Sequence, residues 1–246
     1  MPGSWAYWLN AGIKGARVGS VNRGGATKFC PILNLDHSRE IRPVKTISFF
    51  ALSVLLLSSC TSSTAQFQVG QIRTAMGDIL IWLYQDVPEH RINFIELAEA
   101  GYWDDYTFNR VIEGFVAQGG CPDTPEGFAY SIHLLEPEFR ENLKHVYGTF
   151  AAGRDDNPGK LSAGCQFYIV QDPEGIPRLD NNYTIYGQVF RGMDVIESIV
   201  RVETDSADAP LEDIELDVNV VQMTRAAIEA SGFEIPLGNC GSGLAC

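Results

Sequence analysis

The stretch FNRVIEGFVAQGG, residues 108–120, sets one arginine and one glutamine among apolar residues and stops on two glycines. Its short runs of valine, isoleucine and phenylalanine favour extended chain. In a strand of period two, Phe108, Arg110 and Ile112 share one side while Val111 takes the other, so the Arg110 guanidinium sits in apolar company. A cation in that position needs a partner. It snorkels to water at a strand edge, pairs with a carboxylate such as Glu113, or serves a ligand.

Outward from this stretch the chain reads as more short strands. YTFNRVI, FVAQG, YGTFAAG, CQFYIV and TIYGQVF are separated by loops rich in Gly, Pro, Asp and Asn. QIRTAMGDILIWLYQDV gives two apolar runs around Gly77 and Asp78, placed as a hairpin turn would have them. PEHRINFIELAEAG changes period: Phe94, Ile95, Leu97 and Ala98 fall at helical spacing, with Pro88 suited to the first turn and Gly101 to the stop. GMDVIESIV predicts a second helix, since Met193, Ile196 and Val200 line up, and IELDVNVVQM closes with alternation at Leu216, Val218 and Val220. Many short strands with two helices predict a mainly β barrel or sandwich, and no internal repeat is present.

The front of the chain has a different character. KTISFFALSVLLLSSC, from Lys45, joins a positive charge to an apolar run from Ile47 to Leu57 and ends at Cys60. That run is too short for a bilayer-spanning helix of about 20 residues, but it fits the apolar region of a secretory signal. Leu57, Ser58, Ser59 and Cys60 resemble a bacterial lipobox, which makes Cys60 the lipid-carrying residue and residues 44–59 the signal peptide. An ordinary buried helix ending at a buried cysteine is the other reading. Residues 1–43 show no sustained period and are expected to be unstructured or untranslated, Val44 replacing the initiator. Residues 60–68 are a polar tether, the folded part starts near Val69, and residues 225–246 form a tail.

Charge follows the same division. Residues 1–59 hold seven Lys/Arg and two Asp/Glu, which leaves 11 basic and 29 acidic residues in the remainder, a net of −18. Such a body is repelled by nucleic acid and by anionic lipid. With 45% hydrophobic residues the chain can bury a substantial core.

Three segments together carry a resemblance. FNRVIEGFVAQGG is similar to the first signature of the cyclophilins, the peptidyl-prolyl cis-trans isomerases; GCQFYIV (residues 164–170) resembles their second, and RLDNNYTIYGQVFRGMDVIESI their third. They occur in the family's order, and the similarity runs from about Gln71 to Met223. It implies an eight-stranded antiparallel barrel capped by two α-helices, with a substrate groove on its outside. It also implies that Arg110 is the catalytic arginine and that Gln118, with Gln166, hydrogen-bonds the peptide backbone. Phe115 and Tyr168 become walls of a proline pocket, Val116 and Leu179 complete its lining, and Tyr183 stands where many members have histidine. The resemblance implies substrates that are proline-containing polypeptides, here exported ones, and a monomer needing no cofactor. With the lipobox it places the protein in a bacterial envelope, on the periplasmic face of the outer membrane. A cyclophilin-like binding module or holdase without turnover is the alternative.

Departures from the family pattern bear on specificity. Arg178 stands where many eukaryotic members carry a tryptophan, which argues against strong cyclosporin binding. Gly153 and Arg154 replace an Ala-Asn pair of the groove, and the loop RDDNPGKLSAG is about three residues longer. Cys121, Cys165, Cys240 and Cys246 allow three pairings. By the resemblance Cys121 and Cys165 both lie around the groove, while Cys240 and Cys246 share a glycine-bearing tail able to close a small loop. His90, His133 and His145 lack metal-ligand spacing and read as surface or satisfied histidines. GNCGSG lacks the strand and helix that a phosphate cradle needs.

Overall fold

The run ILIWL, residues 79–83, is apolar without alternation because both of its faces are covered. In the computed structural model, which describes residues 65–122 and 134–236, it belongs to β2 (Gly77–Leu83). Ile79, Ile81 and Leu83 enter one core cluster, whereas Leu80 and Trp82 enter another on the opposite face. The proposed leader, signal peptide, lipidated Cys60, His133, Cys240 and Cys246 lie outside the described residues.

β1 (Gln66–Thr74) pairs with β2 through a turn at Ala75 and Met76. The hairpin therefore turns two residues before the Gly77–Asp78 dipeptide, and Gly77 already pairs with Thr74. β1 also begins at Gln66, so the last three residues of the expected tether are strand, with Gln66 facing Thr224 across the sheet. Then follow β3 (Phe108–Val111), β4 (Val116–Gly120), β6 (Thr149–Ala152), β8 (Gln166–Val170), β9 (Ile185–Arg191) and β10 (Asp217–Thr224). The short pair β5 (Leu134–Leu135) and β7 (Ser162–Ala163) forms a separate two-stranded ladder.

The large sheet has eight strands in the order β10-β1-β2-β9-β6-β8-β4-β3. Its neighbours are antiparallel throughout. It curls until its edges meet: Thr107 bridges Glu215, the Phe108 N–H donates to the Ile214 carbonyl at 2.9 Å, and the Leu216 N–H to the Tyr106 carbonyl at 2.9 Å. Closure of this kind leaves little unpaired edge to template aggregation.

α1 (Pro88–Glu99) has proline in its first turn, and it buries Phe94, Ile95, Leu97 and Ala98. It ends as the sequence predicts. Gly101 takes φ +64°, the Tyr102 N–H reaches the Leu97 carbonyl at 2.9 Å, and the Gly101 N–H reaches Ala98 at 3.1 Å, the paired bonds of a glycine-terminated helix. α2 (Met193–Ile199) adds Val195, Ile196 and Ile199 to the barrel core.

The region expected to be a tail carries a further α-helix, α3 (Arg225–Glu229), the third among the described residues, capped where the Ala227 N–H donates to Thr224 Oγ1 at 3.2 Å. Its Ile228, with Ile235 and Phe233, covers Phe67, Val69, Leu80 and Trp82 on the outside of the sheet. That cover is why β2 has no polar face.

Candidate active site

Arg110 owes its position to an irregularity in β3. Phe108 faces Gly119 and Arg110 faces Gln118, so two steps on β3 match one step on β4 and Asn109 is the extra residue. Phe108 and Val111 consequently both point into the core, at 1% and 2% exposure, and Arg110 points out of it. The strict alternation expected from sequence, with Phe108 and Arg110 on one side, is thus broken. Asn109 holds the bulge by donating its Nδ2 to the Gly120 carbonyl at 2.7 Å.

Outside the barrel Arg110 borders a cavity of about 290 Å³. Phe115, Val116, Tyr168 and Leu179 form its apolar walls, Gln118 and Gln166 its polar side, and Gly153, Arg154, Arg178 and Tyr183 the remainder. The structure brings all ten residues singled out within the fold to one place, and adds Arg178. The volume lies at the bottom of the about 300–1,000 Å³ range of small-molecule pockets, which suits one small ring rather than a large cofactor.

Glu113 does not hold the catalytic candidate, because it pairs with Arg201 at 2.9 Å. The carboxylate near Arg110 is Asp208, with 3.7 Å between Nε and Oδ2 and side chains 34% and 47% exposed. A long, half-exposed pair of this kind is weak. It leaves the guanidinium at the cavity.

Gln118 is only 6% exposed, and its Nε2 has no hydrogen-bond partner among the described residues. A buried amide donor without a partner is costly unless a ligand completes it. Gln166 is fixed by donation from its Nε2 to the Cys121 carbonyl at 2.9 Å. Gly153 makes room for it, since a Cβ there would stand 1.9 Å from Gln166 Oε1. A disulfide joins Cys121 to Cys165, tying the end of β4 to the residue before β8 and thereby both glutamine-bearing strands.

The sequence reading missed what stands behind the apolar wall. His145, buried in the loop before β6, takes Asp180 Oδ1 at 2.9 Å with both its backbone N–H and its Nδ1, and its Nε2 lies 2.9 Å from the Tyr168 hydroxyl. With the carboxylate accepting from Nδ1–H, Nε2 is the acceptor, so the tyrosine donates. The His145 and Tyr168 rings stack at 12°, and Tyr183 meets Tyr168 edge-on at 84°. Burial lowers the His145 pKa, and the bond and charge of Asp180 offset this only in part. Burial opposes ionisation of Asp180 too, yet the hydrogen bonds from His145, with the charge of Lys144, hold the carboxyl below its usual range. Burial, helped by Tyr183, pushes the Tyr168 phenol well up against the opposing charge of Arg154. Tyr168 is therefore a neutral donor whose ring orientation is locked from behind.

Arg154 donates to the Asn182 backbone and side-chain oxygens at 2.9 and 2.8 Å and lies over the Tyr183 ring at 4.7 Å. Arg178 lies over the Phe115 ring at 4.9 Å. Two walls of the socket thus carry a guanidinium.

Comparison with known proteins agrees with this geometry. Residues 69–220 match the family model described as cyclophilin type peptidyl-prolyl cis-trans isomerase/CLD. The peptidyl-prolyl cis-trans isomerase CYP18-2 of Arabidopsis thaliana is 34% identical over 148 residues, covering 59% of this chain and 88% of the relative. A putative peptidyl-prolyl cis-trans isomerase of Staphylococcus saprophyticus is 31% identical over 175 residues, covering 59% and 87%. The fold is shared with a cyclophilin type isomerase of Cryptosporidium parvum, solved in the presence of the dipeptide Ala-Pro, at a TM-score of 0.55 and 24% identity, covering 63% of this chain and 99% of that one. The chain belongs to the cyclophilin-type peptidyl-prolyl cis-trans isomerase family, and its activity is that of the class, rotation about X-Pro bonds.

Proposed function

We propose that Arg110 carries the isomerisation, with Phe115, Val116, Tyr168 and Leu179 gripping the prolyl ring and Gln118 and Gln166 holding the peptide on either side of it. Rotation about the amide has a barrier of about 18–20 kcal/mol, and an X-Pro bond takes tens to hundreds of seconds unaided. No covalent bond breaks, so the enzyme needs only to favour the twisted amide over the planar ones. In the twisted state the prolyl nitrogen has lost resonance and accepts hydrogen bonds better. A fixed guanidinium therefore stabilises that state more than the ground state, which is how binding becomes rate.

The observation that carries this reading is the placement of Arg110: turned out of the core by the β3 bulge, bordering the socket, and held among the described residues by no more than a 3.7 Å contact to Asp208. A protease-coupled prolyl peptide assay on the wild type and on Arg110→Ala tests it. Loss of the rate enhancement in the variant supports this role of Arg110; an equal enhancement in both would remove it, and no enhancement by either would favour a proline-binding module or holdase.

The setting we propose is the bacterial envelope, where a monomer anchored through lipidated Cys60 assists the folding of exported polypeptides. The apolar run before Cys60 supports it. So does the Cys121–Cys165 bond, since disulfides persist in oxidising compartments. Mass spectrometry of protein from membranes is expected to find a diacylglyceryl group on Cys60. A soluble product retaining unmodified Cys60 would overturn the anchor.

A further inference from the structure

The charge around the socket runs against that of the rest of the molecule. The chain from Cys60 onward holds 11 basic and 29 acidic residues, yet Arg110, Arg154 and Arg178 all border one cavity, and among the described residues no Asp or Glu lines it. The acids next to Arg154 and Arg178 are engaged elsewhere. Asp180, two residues beyond Arg178, is turned to His145 and Lys144. Asp155, next to Arg154, accepts from Asn157 at 2.7 Å. Of the groove arginines only Arg110 has a carboxylate near it among the described residues, Asp208 at 3.7 Å, whereas Arg73, Arg140, Arg201 and Arg225 each have a carboxylate partner.

Among the described residues neither Arg154 nor Arg178 forms an ion pair. Arg154 is immobilised by Asn182 and lies over Tyr183, and Arg178 lies over Phe115. Each guanidinium is thus positioned on an aromatic wall of the socket. A planar guanidinium is suited to bind a carboxylate in a two-point fork, and an arginine already held by other contacts loses less freedom in doing so.

We infer that the groove selects X-Pro segments flanked by aspartate or glutamate, with Arg154 and Arg178 as the residues that determine this preference. The inference rests on the isomerase reading of the same groove. Acidic flanks would be drawn to this cationic cavity of an acidic protein, whereas lysine-flanked prolines would be repelled there. Because the arginines are at the rim, the preference is screened by salt.

The test uses otherwise identical Xaa-Pro peptides flanked by glutamate, alanine, lysine or phosphothreonine, with dissociation constants from NMR titration and turnover from cis-trans exchange. At an ionic strength of about 0.01 M the glutamate peptide is expected to bind about tenfold tighter than the lysine peptide, and the ratio to shrink to about twofold at 0.5 M. Arg178→Glu should abolish or invert the order. Arg191→Glu, the same charge change at the exposed end of β9, should leave it intact, and so report any effect of net charge alone. Equal dissociation constants for glutamate and lysine, or a gain confined to phosphothreonine, would overturn the inference. Failure to accelerate even the alanine peptide, with the binding order preserved, would instead sink the isomerase reading and keep the selectivity.

Discussion

Arg110 and Gly153 show how much at this site depends on single atoms. Gly153→Ala would place a methyl group where Gln166 Oε1 now lies, displacing the side chain rather than the strand. Turnover should fall about tenfold or more with little loss of melting temperature, because one polar contact to the peptide goes while the core stays. Tyr168→Phe keeps the wall but leaves His145 Nε2 without its donor. A loss of about 1–3 kcal/mol in denaturant unfolding is expected, with turnover reduced much less. His145 and His90 are both buried with their pKa values lowered by that burial, against the opposing effects of Asp180 and Glu138. Below the ordinary histidine value, about 6.5, the unfolded chain binds more protons than the folded one, so stability is full above that pH and declines as pH falls through it. A melting-temperature series from pH 8 to 5 checks this, and His145→Gln should flatten the decline. A flat series in the wild type would contradict it. Little of this was legible beforehand: His145 and Asp180 are 35 residues apart and share no pattern, whereas Arg110 and Gln118 stand inside one recognisable segment.

At the scale of elements, the pairing of β3 with β4 explains why a strand with apolar neighbours carries a guanidinium. Period two correctly made FNRV a strand, but periodicity cannot show a bulge, which arises from pairing with β4 and from the Asn109 bond to Gly120. The turn at Ala75–Met76 escaped for a similar reason: Gly77 and Asp78 look like turn residues, yet Ile72 pairing with Ile79 sets the register. α1 was readable to its last turn because its stop signal is local. The Cys121–Cys165 bond closes a loop of 44 residues between β4 and β8. Those strands remain paired along their length without it, from Val116 with Val170 to Gly120 with Gln166. Reduction is therefore expected to lower stability by about 4 kcal/mol through the freer unfolded chain while leaving turnover near normal under native conditions. Unfolding with and without reductant, beside the peptide assay, checks both halves. Loss of activity in still-folded reduced protein would show that the bond shapes the groove.

The described residues form a closed antiparallel barrel whose inside is core, whose groove lies outside, and in which residues 225–236 seal the far side of β1 and β2. The three signature segments made the first two features legible. The third was not, because residues 225–236 carry no strong periodic signal and earn their place only against Trp82 and Phe67. Ile228 is fully buried there, so Ile228→Ala should cost about 2–5 kcal/mol. Ending the chain at Thr224 should destabilise further and expose an apolar sheet face; an unchanged unfolding midpoint would refute that role.

The most direct test concerns the arginine that the bulge turns outward. Exchange NMR on an Ala-Pro peptide, with catalytic amounts of wild type, Arg110→Ala and Arg110→Lys, separates gripping from rotating. Fast exchange with the wild type and a loss of about a hundredfold to a thousandfold in both variants, at similar peptide affinity, is the expected result. Wild-type exchange rates in Arg110→Ala would contradict the account.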